Sequence, residues 1–174
     1  MLEEKVLYTK KNRATRMHIG ESLIWLMAKV PIEKIRMRMI AKCADISHVT
    51  LYNYYDSKIS ILKDYLNEII FEYLAKSKKI SSNFYDYESI LFALKYFDKY
   101  AMFFKVMHKA NLHSILLESI NLFMQRYIGK DSAANNYSIY YYAGGLLNVF
   151  LKWQLSEKRE PAEEIAKTLH LFSG

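Results

Sequence analysis

The spacing of apolar and polar positions predicts a chain made of helices. Apolar residues recur at intervals of three and four along most of its length, and no segment sustains the two-residue alternation of a strand. The 5 glycines and 2 prolines are few for 174 residues, so long helices meet few interruptions. We therefore predict an all-α fold of about nine helices.

The first helix is predicted over about residues 13–29. Its apolar face consists of Ile19, Leu23, Leu26 and Met27. Pro31 ends it, because the residue before a proline is pushed out of the helical region of backbone space. Residues 1–8 are expected to be a frayed start, although an arm that tracks phosphate is the alternative.

A short second helix is predicted around Ile40, Ala41 and Ala44, which share one helical face. Ala41 is small, so another helix can cross close above it. Asp45 then breaks the period, and aspartate tolerates the left-handed backbone of a tight turn. Ser47 is a good N-cap and opens a third helix. This order of residues indicates a helix-turn-helix.

Leu51 and Tyr55, four residues apart, are predicted to anchor the third helix on the second. The outward side then carries hydrogen-bonding and aromatic side chains, namely His48, Thr50, Asn53 and Tyr54. Such a face on a short helix suits contact with base edges in the major groove of DNA. An ordinary helical hairpin with a capping serine is the alternative interpretation.

A long fourth helix is predicted to begin after Ser57 and to reach about Lys76. Its apolar stripe is formed by Leu62, Tyr65, Leu66, Ile69, Ile70 and Tyr73. Asp64 and Glu68 are among the polar residues on the opposite face. The polar run at residues 76–83 follows as a linker. Five more helices are predicted over residues 87–100, 101–109, 112–128, 133–157 and 162–172.

The order and spacing of one set of residues resemble a known family. They are Ile40, Ala41, Ala44, Ile46, Ser47, Thr50, Leu51, Tyr52, Tyr55, Ser57, Lys58 and Leu62, preceded by Ile19, Leu23, Leu26, Met27, Pro31 and Ile35. This part of the chain is similar to the helix-turn-helix segment of the TetR (tetracycline repressor) family of transcriptional regulators. Three positions depart from that pattern. Asp45 stands where glycine is usual, Arg36 replaces the Thr or Ser that starts the second helix, and Met39 replaces a polar residue.

The resemblance implies an N-terminal three-helix DNA-binding domain at residues 1–56. The long fourth helix joins it to a C-terminal helical bundle, with residues 57–174 as a regulatory and dimerisation domain. Carried over onto the matching positions, the resemblance implies DNA contacts from Arg36, Arg38, Ser47, His48, Thr50, Tyr52, Asn53, Tyr54 and Lys58. Arg38 would reach a guanine edge or a phosphate, and Lys58 would pair with phosphate beside the N-terminal amides of the fourth helix.

The formal net charge of +7 is concentrated toward the N-terminus. Residues 1–60 hold 11 Lys and Arg against 6 Asp and Glu, whereas residues 61–174 hold 14 against 12. The basic excess therefore coincides with the helix-turn-helix, which favours a polyanionic partner such as double-stranded DNA. A basic surface that confers only solubility is the alternative.

Cysteine usage and hydropathy predict a soluble cytoplasmic protein. Cys43 is the one cysteine, so no intrachain disulfide can form and a reducing compartment is favoured. Residues 1–5 lack the apolar core of a signal peptide. The most apolar stretch, residues 137–151, is shorter than the ~20 residues of a membrane span. We expect no membrane partner.

Aromatic residues are concentrated after the linker, and most are expected to fill the core. A minority, with polar groups beside them, would line a pocket for a small apolar or aromatic ligand. The candidates are Tyr65, Tyr96, Phe103, Phe104, Met107, His108, His113 and Tyr141. A packed core without a cavity would instead favour regulation by a partner protein.

The adjacent Gly144 and Gly145 fall inside a predicted helix, where they cost on the order of 2 kcal/mol relative to alanine. Close approach of another helix at a homodimer interface is the favoured reason, and a bend is the alternative. The last two helices resemble the pair that forms a four-helix dimer interface in the TetR family. The interface candidates are Gly144, Gly145, Leu147, Leu151, Ile165 and Leu169.

No segment has the spacing of a catalytic or cofactor-binding motif. The sequence contains no His-Glu-x-x-His, no Gly-rich phosphate loop and no Gly-x-Ser-x-Gly. His108 and His113 are five residues apart, the wrong interval for facing one metal from one helix. We predict that the protein is not an enzyme and has no catalytic residue, cofactor or metal.

Together these features predict a sequence-specific transcriptional regulator that binds a palindromic operator as a dimer. By resemblance it would be a repressor, released by a small ligand in the C-terminal domain. One alternative is a regulator switched by a partner protein. The other is a helical dimerisation module whose DNA recognition has decayed, given Asp45 and Arg36.

Overall fold

A computed structural model describes residues 10–77, 80, 83–127, 136–156 and 159–172, and the structural statements below concern those residues. They form nine α-helices and one short 3-10 helix, with no strand. The α-helices are α1 (Lys10–Lys29), α2 (Met37–Cys43), α3 (His48–Tyr54), α4 (Lys58–Ser77), α5 (Tyr87–Asp98), α6 (Ala101–Lys109), α7 (His113–Tyr127), α8 (Asn136–Leu155) and α9 (Ala162–Leu171). The all-α prediction is confirmed. The predicted frayed start at residues 1–8 and half of the predicted linker, residues 78, 79, 81 and 82, lie outside the described residues.

The chain divides into two compact units, Met1–Glu68 and Ile69–Gly174. The division falls inside α4, which contributes residues to both units. The assignment of a DNA-binding role to residues 1–56 and a regulatory role to residues 57–174 stays a prediction.

The first unit has a small aliphatic core. The predicted face of α1 is buried, with Ile19 and Leu23 fully inaccessible. Gly20 lies against Tyr65 of α4, and a Cβ at this glycine would lie 2.9 Å from Tyr65 Cγ. Carbon atoms do not pack that closely, so a glycine is required where this ring crosses α1. The 3-10 helix Ile32–Lys34 leads from α1 into α2.

The second unit is packed around aromatic rings. Helix α5 lies on α9, and both α6 and α7 lie on α8. Tyr73 contacts Phe97 with ring centroids 4.9 Å apart, and Phe104 contacts Phe150 at the same distance. The Tyr96 hydroxyl donates to the backbone oxygen of Ile69 at 3.1 Å. Most of these rings are buried, so their main effect is hydrophobic stabilisation of the unit.

Polar contacts join α5 to α9, to α8 and to the segment that precedes α9. Lys95 Nζ lies 2.5 Å from Glu163 Oε1. Asp98 accepts hydrogen bonds from Gln154 Nε2, at 2.8 Å, and from Arg159. None of the described helices combines the length and hydropathy that crossing a membrane requires.

Candidate nucleic-acid interface

The turn between α2 and α3 has the backbone that the sequence predicted. Asp45 has a φ of 49°, in the left-handed region. The backbone N–H of Ile46 donates to Ala41 O at 3.0 Å, and that of Ala44 donates to Ile40 O at 2.8 Å. These bonds satisfy carbonyls at the end of α2 while the chain reverses direction. The predicted conformation of Asp45 is therefore confirmed.

Ser47 caps α3, as predicted. Its backbone is extended, with φ −67° and ψ 151°, and its Oγ accepts a hydrogen bond from the Thr50 N–H at 2.9 Å. The two hydroxyl oxygens of Ser47 and Thr50 lie 2.7 Å apart. The cap fixes where α3 begins and therefore which of its side chains face outward.

The inner side of α3 is fixed by the two predicted anchors. Leu51 is fully buried and Tyr55 is 7% exposed. Helix α3 packs directly against α2, where Ile40 and Ala41 are also buried. This burial confirms the predicted inner face of the helix.

The outer face of α3 consists of His48, Val49, Tyr52 and Asn53, all exposed. Val49 is 71% exposed and Tyr52 is 51% exposed. The rings of His48 and Tyr52 meet edge to face, with centroids 4.7 Å apart. Thr50 and Tyr54 are half-buried at its margins. A capped helix with such a face can present a hydrogen-bonding surface and an apolar surface to base edges.

Val49 was missed by the sequence reasoning. It is the second residue after the Ser47 cap and shares a helical face with Tyr52 and Asn53, at intervals of three and four. An apolar residue on that otherwise polar face was the signal that could have identified it. Its side chain suits contact with a thymine methyl group.

Cationic side chains flank the helix-turn-helix. Arg36, Arg38 and Lys42 are exposed on the α2 side. Arg36 stands at the N-cap of α2, and its backbone N–H donates to Met39 Sδ at 3.4 Å. A thioether is a weak acceptor, and this contact satisfies the N–H of Arg36, not the amides of the first turn that a hydroxyl at position 36 would cap.

Lys58 is engaged with the backbone. Its Nζ donates to Ile32 O at 2.6 Å and to Ile35 O at 2.9 Å, and the side chain is half-buried. These bonds join the start of α4 to the segment between α1 and α2. The predicted contact between Lys58 and phosphate stays a prediction, and it would require the ammonium group to share or exchange these carbonyl partners.

Acidic groups also lie near the interface. Asp45 and Asp56 are exposed. Asp56 accepts a hydrogen bond from Ser60 Oγ at 2.8 Å. This bond lowers the pKa of the Asp56 carboxyl group most, and a hydrogen bond with Ser57 lowers it further. Asp56 is therefore ionised at neutral pH, and its charge opposes that of the nearby cations.

The candidate ligand-binding residues do not line one common wall. Tyr96, Phe103, Phe104 and Met107 are each at most 2% exposed in the core of the second unit. Tyr65 belongs to the first unit, where it packs on Gly20. Tyr141 is 83% exposed.

His108 and His113 come together across a turn. They belong to α6 and α7, and His108 Nδ1 contacts His113 Nε2. Asn111, between the two helices, has a φ of 56° and reverses the chain there. Among the described residues, no group of three or more His, Cys, Asp and Glu side chains is placed to hold a metal ion.

The candidate dimer residues belong to α8 and α9, and they differ in burial. Leu147 and Leu151 are buried within this chain, at 9% and 6% exposure, so they belong to its own core. An open groove of about 660 Å³ runs between α8 and α9. Its lining includes Tyr141, Gly145, Ile165, Leu169 and Phe172. A Cβ on Gly144 or Gly145 would meet nothing within 4 Å, so no described part of this chain requires these glycines.

Solved structures match the fold, whereas no protein-family model and no curated protein matches the sequence. Lin0861 from Listeria innocua aligns over 95% of this chain and 92% of its own, with a TM-score of 0.79 and 12% identity. A TetR transcriptional regulator from Rhodococcus sp. RHA1 aligns over 94% and 97%, with a TM-score of 0.63 and 17% identity. The dihydroxyacetone kinase operon activator DhaS aligns over 91% and 93%, with a TM-score of 0.56 and 16% identity. The chain therefore has the fold of TetR-type transcriptional regulators.

Proposed function

We propose that the protein is a sequence-specific DNA-binding transcriptional regulator, and not an enzyme. The outer face of α3 carries the proposal. That helix is capped by Ser47, held from behind by Leu51 and Tyr55, and exposes His48, Val49, Tyr52 and Asn53 to solvent. This is the arrangement that a recognition helix needs to enter the major groove.

The neighbouring side chains have distinct roles in the proposed complex. Arg38, an exposed residue in the first turn of α2, contacts a guanine edge or a phosphate. Arg36 and Lys42 contact phosphates. Val49 packs on a thymine methyl group. Tyr54, at the margin of the outer face of α3, contacts DNA at the edge of the bound site.

The regulator acts as a homodimer on a palindromic operator. The groove between α8 and α9 and the open space beside Gly144 and Gly145 support this assembly. Tyr141 and Phe172, at 83% and 81% exposure, are large apolar side chains that a partner copy would cover. A two-fold dimer places its two recognition helices one DNA turn apart, about 34 Å.

Selection from a random pool of duplex DNA tests this function. We expect enrichment of an inverted repeat whose half-site centres are about one helical turn apart. Val49→Ser should change the preferred base at one position in each half-site, whereas Lys167→Ser, at an exposed position of α9, should not. Failure of the parent protein to retain any duplex at about 50 mM salt would reject DNA binding.

Lys58→Ala separates two roles for this lysine. If Lys58 contacts a phosphate, the slope of the logarithm of the binding constant against the logarithm of salt concentration should be shallower by about one in this variant. A purely structural role through Ile32 O and Ile35 O predicts an unchanged salt dependence and a lower free energy of unfolding.

We further propose that DNA binding represses transcription and that an effector of the second unit releases it. A small ligand would have to part Tyr96, Phe103 and Phe104, which are buried in the core. That packing favours a partner protein as the second candidate effector. A reporter gene behind the selected operator tests repression, and higher expression in the presence of the protein would reject it.

A further inference from the structure

Three elements of the first unit meet at one carboxylate, that of Asp64 on α4. Asp64 Oδ2 accepts a hydrogen bond from Arg16 Nε of α1 at 2.7 Å and another from the Tyr55 hydroxyl. Asp64 Oδ1 accepts from Arg16 Nη2. The guanidinium therefore binds the carboxylate through two parallel bonds, an arrangement that fixes direction as well as distance. We call Arg16, Tyr55 and Asp64 the clasp.

The clasp extends one turn along α4 to Glu68. Arg16 Nη1 lies 3.1 Å from Glu68 Oε1, and Arg13 Nε lies 2.7 Å from Glu68 Oε2. Arg16 is only 7% exposed, although it carries a charge. A buried guanidinium is tolerated when its charge is matched, and here the carboxylates of Asp64 and Glu68 match it.

Each donor keeps its proton under ordinary conditions. Burial raises the pKa of the Tyr55 hydroxyl, and its hydrogen bond to Asp64 raises the pKa further. Burial alone would lower the pKa of Arg16, but the hydrogen bond and the charge of Asp64 outweigh burial and raise it. Arg16 and Tyr55 therefore remain hydrogen-bond donors to Asp64 under ordinary conditions.

Tyr55 is also the C-cap residue of α3. Its backbone N–H donates to Leu51 O at 3.0 Å, and its backbone is extended, with φ −145°. Helix α3 has only 7 residues, too few to be stable alone, so its direction depends on its attachments. Leu51 attaches it by apolar burial, which has no preferred direction. The bond from Tyr55 to Asp64 is directional.

We propose that Tyr55 and Asp64 are positioning residues that set the orientation of α3 on α4, and thereby the placement of its outer face on DNA. The DNA part of this inference rests on the proposed function. The mechanical part, that the clasp restrains α3, does not.

Tyr55→Phe tests the inference, because it removes the hydroxyl and keeps the ring that packs in the core. We expect about tenfold weaker binding to the selected operator, as for a lost hydrogen bond to a charged group. Non-specific DNA should be bound nearly as before. A residue that only stabilised the fold would lower the unfolding midpoint and leave the ratio of specific to non-specific affinity unchanged.

Amide hydrogen exchange tests the mechanical part without DNA. Faster exchange is expected at residues 52–55 in Tyr55→Phe and in Asp64→Asn. Tyr73→Phe, which removes a buried hydroxyl from α4 in the second unit, is the matched control and should leave that exchange unchanged. Unchanged exchange in both clasp variants would overturn the inference.

The two failures are distinguishable. If the parent protein binds no duplex DNA but α3 exchanges faster in the clasp variants, the proposed function fails and the restraint on α3 stands. If the parent binds DNA and both variants keep its ratio of specific to non-specific affinity, the positioning role fails. In the double variant Tyr55→Phe/Asp64→Asn, the loss of operator affinity should not exceed the larger of the two single losses, because both changes break the same bond. Additive losses would also contradict the inference.

Discussion

Within the first unit, hydrogen bonds and ion pairs between specific atoms orient the helices. Within the second unit, the helices are packed through aromatic rings. In the first unit, the carboxylate of Asp64 joins Arg16 and Tyr55, and the ammonium of Lys58 joins two carbonyls. In the second, Phe97 and Phe104 contact further rings at centroid distances of 4.9–6.3 Å.

This difference bears on what each unit can do. Directional bonds fix the angle of a short helix, which is what a DNA-contacting surface needs. Ring packing supplies more burial per residue but fewer constraints on direction. Substitution of these polar groups should therefore alter geometry in the first unit, and substitution of the rings should alter stability in the second.

The largest expected effect is the loss of a ring from the second unit. Phe104 is 2% exposed and contacts Phe97, Phe103 and Phe150. Phe104→Ala should lower the free energy of unfolding by about 3–5 kcal/mol, because a buried cavity is left. Urea denaturation measures this, and Phe104→Leu is the milder control. A loss of less than about 1 kcal/mol would show that the ring packing is not the main support.

Alkaline pH should weaken the second unit through Tyr73. Burial raises the pKa of Tyr73 to about 12, above its ordinary value of 10.0. The unfolded chain therefore loses this proton first, and stability falls as pH rises between 10 and 12, by up to about 3 kcal/mol. Tyr73→Phe has no such proton, so its unfolding free energy should fall less between pH 8 and 11. Parallel pH profiles for parent and variant would contradict this.

A smaller loss is expected at Gly20 in the first unit. The new Cβ of Gly20→Ala would lie 2.9 Å from Tyr65 Cγ and 3.0 Å from Tyr65 Cβ. These atoms lie near the root of the side chain and cannot move away easily. Overpacking of this kind costs about 1–3 kcal/mol, which exceeds the helix-propensity gain of about 1 kcal/mol. Unfolding midpoints of parent and variant give the sign, and a net gain would refute the close approach.

The smallest expected effect has the opposite sign. Gly145→Ala meets nothing within 4 Å, so the helix should gain up to about 1 kcal/mol in a protomer studied alone. In the proposed dimer the same Cβ projects toward the partner copy, and association should weaken. Sedimentation at several concentrations measures both parent and variant. Tighter association in the variant would remove Gly145 from the interface.

Local chemistry explains why the helix-turn-helix could be predicted from the sequence. Asp45 and Ser47 have backbone and capping preferences that depend on near neighbours alone, and the structure confirms both. Helix α1 ends at the predicted Lys29, because the proline that follows is a sharp local signal.

Contacts between distant residues could not be predicted in this way. Asp64 and Glu68 were assigned to the polar face of α4, away from its apolar stripe, but the structure places them on Arg16, 48 residues from Asp64 in the chain. His108 and His113 were predicted on two separate helices, and the structure confirms this, but the sequence did not predict that the turn between the helices brings the two rings into contact. Periodicity predicts which face is polar, not which polar group lies opposite.

The aspartate with a left-handed backbone at the turn has a consequence for the affinity of the proposed complex with DNA. Glycine would adopt that backbone without the ~1 kcal/mol that Asp45 costs there, and it would bring no charge. In the proposed complex, the exposed carboxylate would instead repel the phosphates of every duplex, whatever its bases. Under the proposed function, this repulsion would lower affinity for all DNA, so the protein would dissociate quickly from non-specific sequences and remain bound only where base contacts compensate.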